Sequence, residues 1–194
     1  SPRVGGNTDT LIDEALRGAQ DAGATVEKIR LQKIKFGFCT HCGKCREPDH
    51  KGFCVLKDDM SDYVYQKMVE ANAIIIGFPI YIARECGQLA TFFDRWYCMP
   101  VAGRRVPGAK LAGRLGMVIG TWGGAWVDSY DYVIENIINI LHVNDIVTVE
   151  AISACGFEGM FHGLDDNGKA RIRSFPKELE KAYQTGKSLV TGQG

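Results

Sequence analysis

No stretch of this 194-residue chain is apolar for long enough to cross a bilayer. The longest run, residues 73–83, falls well short of the roughly 20 residues a helical span needs, and Pro79 interrupts it. A soluble protein with no membrane partner is expected. An excess of either charge is lacking too: 23 acidic and 23 basic residues cancel to a formal net charge of zero, so no whole-molecule field favours nucleic acid or anionic lipid. The chain holds no G-x-G-x-x-G turn, no nucleophile elbow, no paired-histidine motif and no carboxylate dyad, which removes the residues of dinucleotide-fingerprint binding and of hydrolysis. A disulfide framework is equally unsuited. Seven cysteines in a chain this long, four of them clustered, fit a reducing cytoplasm better than a cross-linked secreted scaffold.

What is present begins with that cluster: Cys39, Cys42, Cys45 and Cys54, spaced C-x2-C-x2-C-x8-C. Three thiolates at this spacing wrap one turn of chain around three corners of an iron-sulfur cube, and a fourth from further along takes the last iron, so the motif reads as a [4Fe-4S] site. Zinc is the rival, although structural zinc takes its ligands as two separated pairs. Unliganded thiols are a third reading. His41 and His50 lie in the same loop and read as exposed loop histidines rather than ligands. Cys86, Cys98 and Cys155 sit in apolar stretches and are expected to be buried thiols.

Hydrophobic content of 45% over this length predicts one globular domain, 1–194, with a cysteine-rich loop at about 37–57. Its periodicity alternates. Thr8 is placed to cap a helix with Leu11, Ile12, Ala15, Leu16 and Ala19 on one face and Gly23 past its end. A short strand over 25–31, the cysteine loop and a helix over 59–71 follow. Residues 73–78 are apolar without alternation, the mark of a strand covered on both faces in a parallel sheet. Helices over 87–97 and 129–141 lead to strands over 115–120 and 146–154, and a helix over 176–190 closes the chain. Repeated units of this kind build an open doubly wound α/β sheet.

In such sheets a ligand sits beyond the carboxyl ends of the strands. The opening segment, with Ser1, Arg3, Gly6, Asn7 and Thr8, supplies hydroxyls, a guanidinium and the free N–H groups of a helix start, which suit a phosphate. Pro79, Ile80, Tyr81, Ile82 and Ala83 offer apolar and aromatic surface, and Thr121, Trp122, Gly123 and Gly124 offer backbone that can approach a ring closely. Tyr81 and Trp122 each suit either stacking on such a ring or packing in the core. Together the three loops describe a pocket for a flat ring bearing a phosphate tail.

With these residues in place, the chain resembles the iron-sulfur flavoprotein branch of the NADPH-dependent FMN reductase, flavodoxin-like superfamily. The matching elements are the Ser-Pro-Arg…Gly-Asn-Thr opening, the cysteine motif followed by Lys57-Asp58-Asp59-Met60, the Pro79-Ile80-Tyr81 turn with Gln88-Leu89 and Asp94-Arg95 downstream, and Thr121-x-Gly123-Gly124. They span residues 1 to 155. The resemblance implies a five-stranded flavodoxin-like sheet of order 2-1-3-4-5, FMN held by the three loops, a [4Fe-4S] cluster on the four cysteines, and a homo-oligomer, dimer or tetramer, in which cluster and flavin exchange electrons. The sequence departs from the pattern in the eight-residue gap before Cys54, in Arg84 and Glu85 beside the flavin turn, and in opening at the phosphate loop, so that an apolar first strand is expected ahead of Ser1. The leading expectation is a cytoplasmic electron-transfer flavoprotein accepting electrons from a ferredoxin-like donor. The alternatives are an NAD(P)H-dependent reductase of flavin or quinone, and a zinc-stabilised binding module without turnover. Arg104, Arg105, Lys110 and Arg114 are candidates for docking an acidic ferredoxin or a nucleotide phosphate.

Overall fold

The computed structural model describes residues 1–50, 53–99, 111–124, 128–155, 164–165 and 167–192. Its elements are α1 (Asn7–Asp21), α2 (Tyr65–Glu70, entered through a π-turn at Met60–Val64), β1 (Ala73–Tyr81), β2 (Arg84–Glu85), α3 (Gly87–Asp94, continued by a 3-10 turn at Arg95–Cys98), β3 (Leu115–Thr121), α4 (Asp131–Val143), β4 (Val147–Ala154) and α5 (Pro176–Thr191). The four strands form one sheet of order β2-β1-β3-β4. β1 and β3 pair in parallel from Ala73 opposite Leu115 to Pro79 opposite Thr121, and β3 pairs in parallel with β4, while β2 only turns back on Ile80 and Tyr81 as a short antiparallel hairpin.

Both faces of the sheet are covered, which is why β1 and β3 are apolar without alternation. On one face α1 and α5 enclose Leu11, Met117, Ile119, Ile152, Ile172 and Leu189. On the other, α2, α3, α4 and the cysteine loop pack around Phe78, Val118, Ile134, Trp96 and Cys45. No helix among the described residues is long and apolar enough to cross a membrane.

Three local expectations are corrected. Residues 25–31 do not form a strand: 25–30 have no ladder partner and Leu31 opens a 3-10 turn, and Ile29 and Leu31 line, with Ile12, Leu89 and Gly77 of β1 among others, a cavity of about 50 Å³. Thr8 does not cap α1; Gly6 occupies the cap position, and the Thr8 hydroxyl instead meets Thr121. Cys86 and Cys98 are buried as expected, whereas Cys155 is half-buried.

The tightest packing is between α1 and α5. A Cβ built on Gly186 would overlap the carbonyl of Ala15, and one on Gly18 would overlap the carbonyl of Tyr183, so each glycine admits the other helix's backbone. Gly186→Ala therefore forces the helices apart. It should destabilise the protein by about 2 kcal/mol, despite the roughly 1 kcal/mol that alanine otherwise contributes within a helix. Thermal melts should show a Tm lowered by roughly 4–8 °C, while Lys187→Ala, on the exposed side of the same turn, should leave it unchanged.

Asp9 anchors the opening loop. Its carboxylate is 4% exposed, accepts the Gly5 N–H at 2.7 Å and both Arg30 Nη groups at 2.5 and 2.9 Å, and lies 2.6 Å from Lys28 Nζ. Burial pushes the carboxyl up, but the hydrogen bonds from Arg30, Lys28 and Gly5 outweigh it and hold the group at about 2, below its ordinary 3.8. A carboxyl lowered by folding contributes stability above its unfolded value, and that contribution is lost as pH falls toward the folded one. Between about pH 4.5 and 2, urea titrations should show wild type losing about 2 kcal/mol more than Asp9→Asn.

Candidate functional site

The chain runs up every parallel strand in the same direction, so the segments after β1 and β3 emerge at one edge of the sheet. α1 begins at that edge. The Thr8 Oγ1 and Thr121 Oγ1 atoms lie 2.7 Å apart in a buried hydrogen bond that joins the opening loop to the end of β3. Trp122 N–H donates to the Ala154 carbonyl at 3.1 Å, which fixes the start of the glycine pair Gly123-Gly124 against β4. The N–H groups of Asn7, Thr8 and Asp9 form the first turn of a 15-residue helix and have no acceptor within it, so they present a positive dipole end at this edge.

Other expected site residues are placed differently from their sequence reading. Pro79, Ile80 and Tyr81 lie within β1 rather than in a loop; the turn proper is Ile82-Ala83, the tip of the β1–β2 hairpin. Both tip residues have positive φ, 48° and 59°, a conformation that favours glycine or asparagine, and neither is present. Ile82 is 96% exposed and Tyr81 is 43% exposed, so the hairpin carries apolar surface out into solvent at the candidate site. Tyr132 Oη steadies it by donating to the Ala83 carbonyl at 2.8 Å. Trp122 is buried edge-on against Tyr130, which is core packing, whereas Tyr81 keeps an accessible ring. Asn7 Oδ1 accepts the Ile172 N–H at 3.1 Å and so ties the loop to the turn before α5. Ser1 Oγ accepts the Arg3 N–H. Where FMN would sit, the observed groups fit it: helix-start amides and hydroxyls for the phosphate, and an apolar hairpin and a glycine pair for the ring.

The cysteine loop is fastened at both ends. Lys35 N–H donates to Asp59 Oδ2 at 2.5 Å and Asp59 N–H returns to the Lys35 carbonyl at 3.1 Å. Arg95, fully buried, donates to the Gly37 carbonyl at 3.0 Å and forks onto Asp58 at 2.5 and 3.1 Å. Asp58 in turn takes the N–H groups of Met60 and Ser61, and Ser61 Oγ donates to the Cys54 carbonyl. Within the loop, His41 N–H points to Cys39 Sγ at 3.4 Å, and Gly43, at φ 73°, turns the chain so that Cys45 is buried while Cys42 faces outward. Burial and then the neighbouring Cys54 push the Cys45 thiol up, although Arg46 opposes them, and Cys39 and Cys42 act in the same sense as Cys54. Cys39, Cys42 and Cys54 thus each lie within electrostatic reach of Cys45. Among the described residues no three potential ligands converge on one point. Soft sulfur donors without a carboxylate partner suit an iron-sulfur cluster. His50 Nε2 is engaged with the Phe53 carbonyl at 2.6 Å, and the His41 ring lies against Tyr97, so neither histidine is held toward the thiols.

The sequence named Asp58 and Arg95 only as parts of motifs. Their union as a buried pair across 37 positions had no local signal. Of the proposed docking cations, Arg104, Arg105 and Lys110 lie outside the described residues, and Arg114 is committed elsewhere: its Nε and Nη2 donate to the Met68 and Val69 carbonyls at the end of α2.

These loops and this fold have known counterparts. The NADPH-dependent FMN reductase family matches residues 1–156. An iron-sulfur flavoprotein of Methanocaldococcus jannaschii is 30% identical over 185 residues, which is 95% of this chain and 89% of that one. One from Methanosarcina thermophila is 30% identical over 149 residues, 77% of this chain and 73% of its own. Among solved structures, the NAD(P)H:quinone oxidoreductase of Methanothermobacter marburgensis superposes with a TM-score of 0.67 at 18% identity, covering 97% of this chain and 92% of the other, a likeness of fold alone. With the family matched over most of its length and relatives of this identity alongside, the chain belongs to the NADPH-dependent FMN reductase family, in its iron-sulfur flavoprotein branch.

Proposed function

We propose that this chain is an electron-transfer flavoprotein that holds FMN at the carboxyl edge of its sheet and a [4Fe-4S] cluster on Cys39, Cys42, Cys45 and Cys54, and takes electrons from a ferredoxin-like donor. One topological fact carries the reading. α2 ends where β1 begins, so the chain enters it from the direction of the carboxyl edge, and the cysteine loop that feeds it is fastened by Arg46 and Arg95 to the turn after α3. Bound there, the cluster supplies single-electron transfer and FMN one- or two-electron chemistry.

The chain's own part is placement. The first turn of α1 and the Thr8 hydroxyl hold the phosphate, the Ile82-Ala83 hairpin and Gly123-Gly124 flank the ring, and Arg46, which donates to the Tyr97 carbonyl at 2.7 and 3.0 Å, holds the middle of the cysteine loop against the turn after α3. The exposed Phe38, Tyr81 and Ile82 give apolar surface for a second copy of the chain, consistent with a homo-oligomer. The reading includes a single domain over 1–194, a cytoplasmic setting, and a five-stranded flavodoxin-like sheet.

Iron with acid-labile sulfide in anaerobically purified protein supports this reading, and zinc without sulfide supports a metal-stabilised binding module instead. Asn7→Ala with Thr8→Ala removes the tie to Ile172 and the bond to Thr121 and should weaken FMN binding by about 1–3 kcal/mol in a fluorescence titration; unchanged affinity removes the loop from the site. Cys45→Ser protein should still bind FMN yet accept electrons from reduced ferredoxin at least tenfold more slowly in stopped flow, a barrier higher by about 1.4 kcal/mol. Equal rates, with efficient reduction by NADPH, would favour the plain reductase.

A further inference from the structure

Arg95 is an unusual investment for a chain of this size. Its side chain is fully buried, and its charge is matched by one carboxylate, Asp58, itself 15% exposed. A buried ion pair contributes little to stability, since desolvation of both ions offsets most of their attraction. Its geometry is directed instead at the cysteine loop. One guanidinium nitrogen donates to Gly37, two residues before Cys39, and the fork holds Asp58, four residues after Cys54, so a single planar group joins the two strands of the loop at its neck. The Arg95 carbonyl meanwhile accepts Tyr65 Oη at 2.7 Å and Cys98 Sγ at 3.3 Å, which locks the main chain behind it. Its Nε–H has no acceptor among the described residues although it is buried. Buried donors are rarely left so. Cys54 lies within electrostatic reach of the guanidinium.

We propose that Arg95 is a positioning residue for the iron-sulfur cluster: it sets the spacing of the cysteine loop through Gly37 and Asp58, and its buried charge at the neck of that loop holds the cluster's potential up. This rests on the cluster reading above. Net charge near a cluster and hydrogen bonds to its sulfurs are the protein's principal means of setting its potential. Removing the cation therefore disfavours the added electron, and removing its counter-carboxylate favours it. The two changes must act with opposite sign. A purely structural ion pair has no such sign.

The test compares wild type, Arg95→Gln, Arg95→Lys and Asp58→Asn, each reconstituted anaerobically, by iron, sulfide and FMN content and by a redox titration of the cluster followed by electron paramagnetic resonance. Arg95→Gln should lower the reduced-to-oxidised ratio at a fixed potential about tenfold, a midpoint more negative by about 59 mV for one electron. Asp58→Asn, which keeps Arg95 and can still cap Met60, should shift the midpoint the other way, and Arg95→Lys should lie nearer wild type than Arg95→Gln. Unchanged midpoints at full iron content, or shifts of one sign in both Arg95→Gln and Asp58→Asn, overturn the proposal. If Arg95→Gln does not fold, the sign of the Asp58→Asn shift decides alone, and an unaltered midpoint there overturns it. Iron lost from a variant that still folds and binds FMN supports the positioning role. Wild type without iron and sulfide would defeat the cluster reading itself, an outcome distinct from all of these.

Discussion

The parallel pairing of β1 with β3 and of β3 with β4 is the constraint on which the rest depends. Parallel strands cannot be joined by hairpins, so each connection must cross a face of the sheet, usually as a helix, before the next strand begins. Both faces then become buried, and the strands must be apolar throughout, as the run Ile74-Ile75-Ile76 is. The segments leaving β1, β3 and β4 emerge at one edge. The opening loop, the Ile82-Ala83 hairpin and the Thr121–Gly124 segment gather there.

Irregular segments at such an edge have no ladder to hold them, and this chain secures two of its irregular segments with buried charge. Asp9 binds the opening loop through Gly5 and reaches Arg30 and Lys28; Arg95 binds the neck of the cysteine loop through Gly37 and Asp58. In both places an acidic group stands at a helix start, where the dipole favours it, and a cation drawn from elsewhere in the chain completes the pair. The two devices differ in one respect. Both oxygens of Asp9 find partners, whereas Arg95 keeps a donor that the loop does not use.

Much of the architecture was legible in the sequence. The helices at 7–21, 131–143 and 176–191 and the strands at 73–81, 115–121 and 147–154 fall close to the expected positions, since apolar periodicity records directly which face of an element is buried. The expected strand at 25–31 was not found, because β-structure is a property of pairs and its own pattern says nothing of a partner. The turn at 79–83 was placed too early, since Pro79 reads as a breaker but sits in the ladder of β1 opposite Thr121.

The sequence alone determined the chemistry on offer: four soft sulfur donors at a spacing that suits a cluster, a glycine-rich helix start, and no residues for hydrolysis, all local features set by residue type and short spacing. Tertiary structure decided which groups meet. Thr8 finds Thr121 across 113 positions, Asn7 turns to Ile172, Arg114 closes α2, and Arg95 crosses to Asp58. Those meetings depend on long-range packing and on the need of each buried polar group for a partner, and neither leaves a period or a spacing in the sequence from which it could be read.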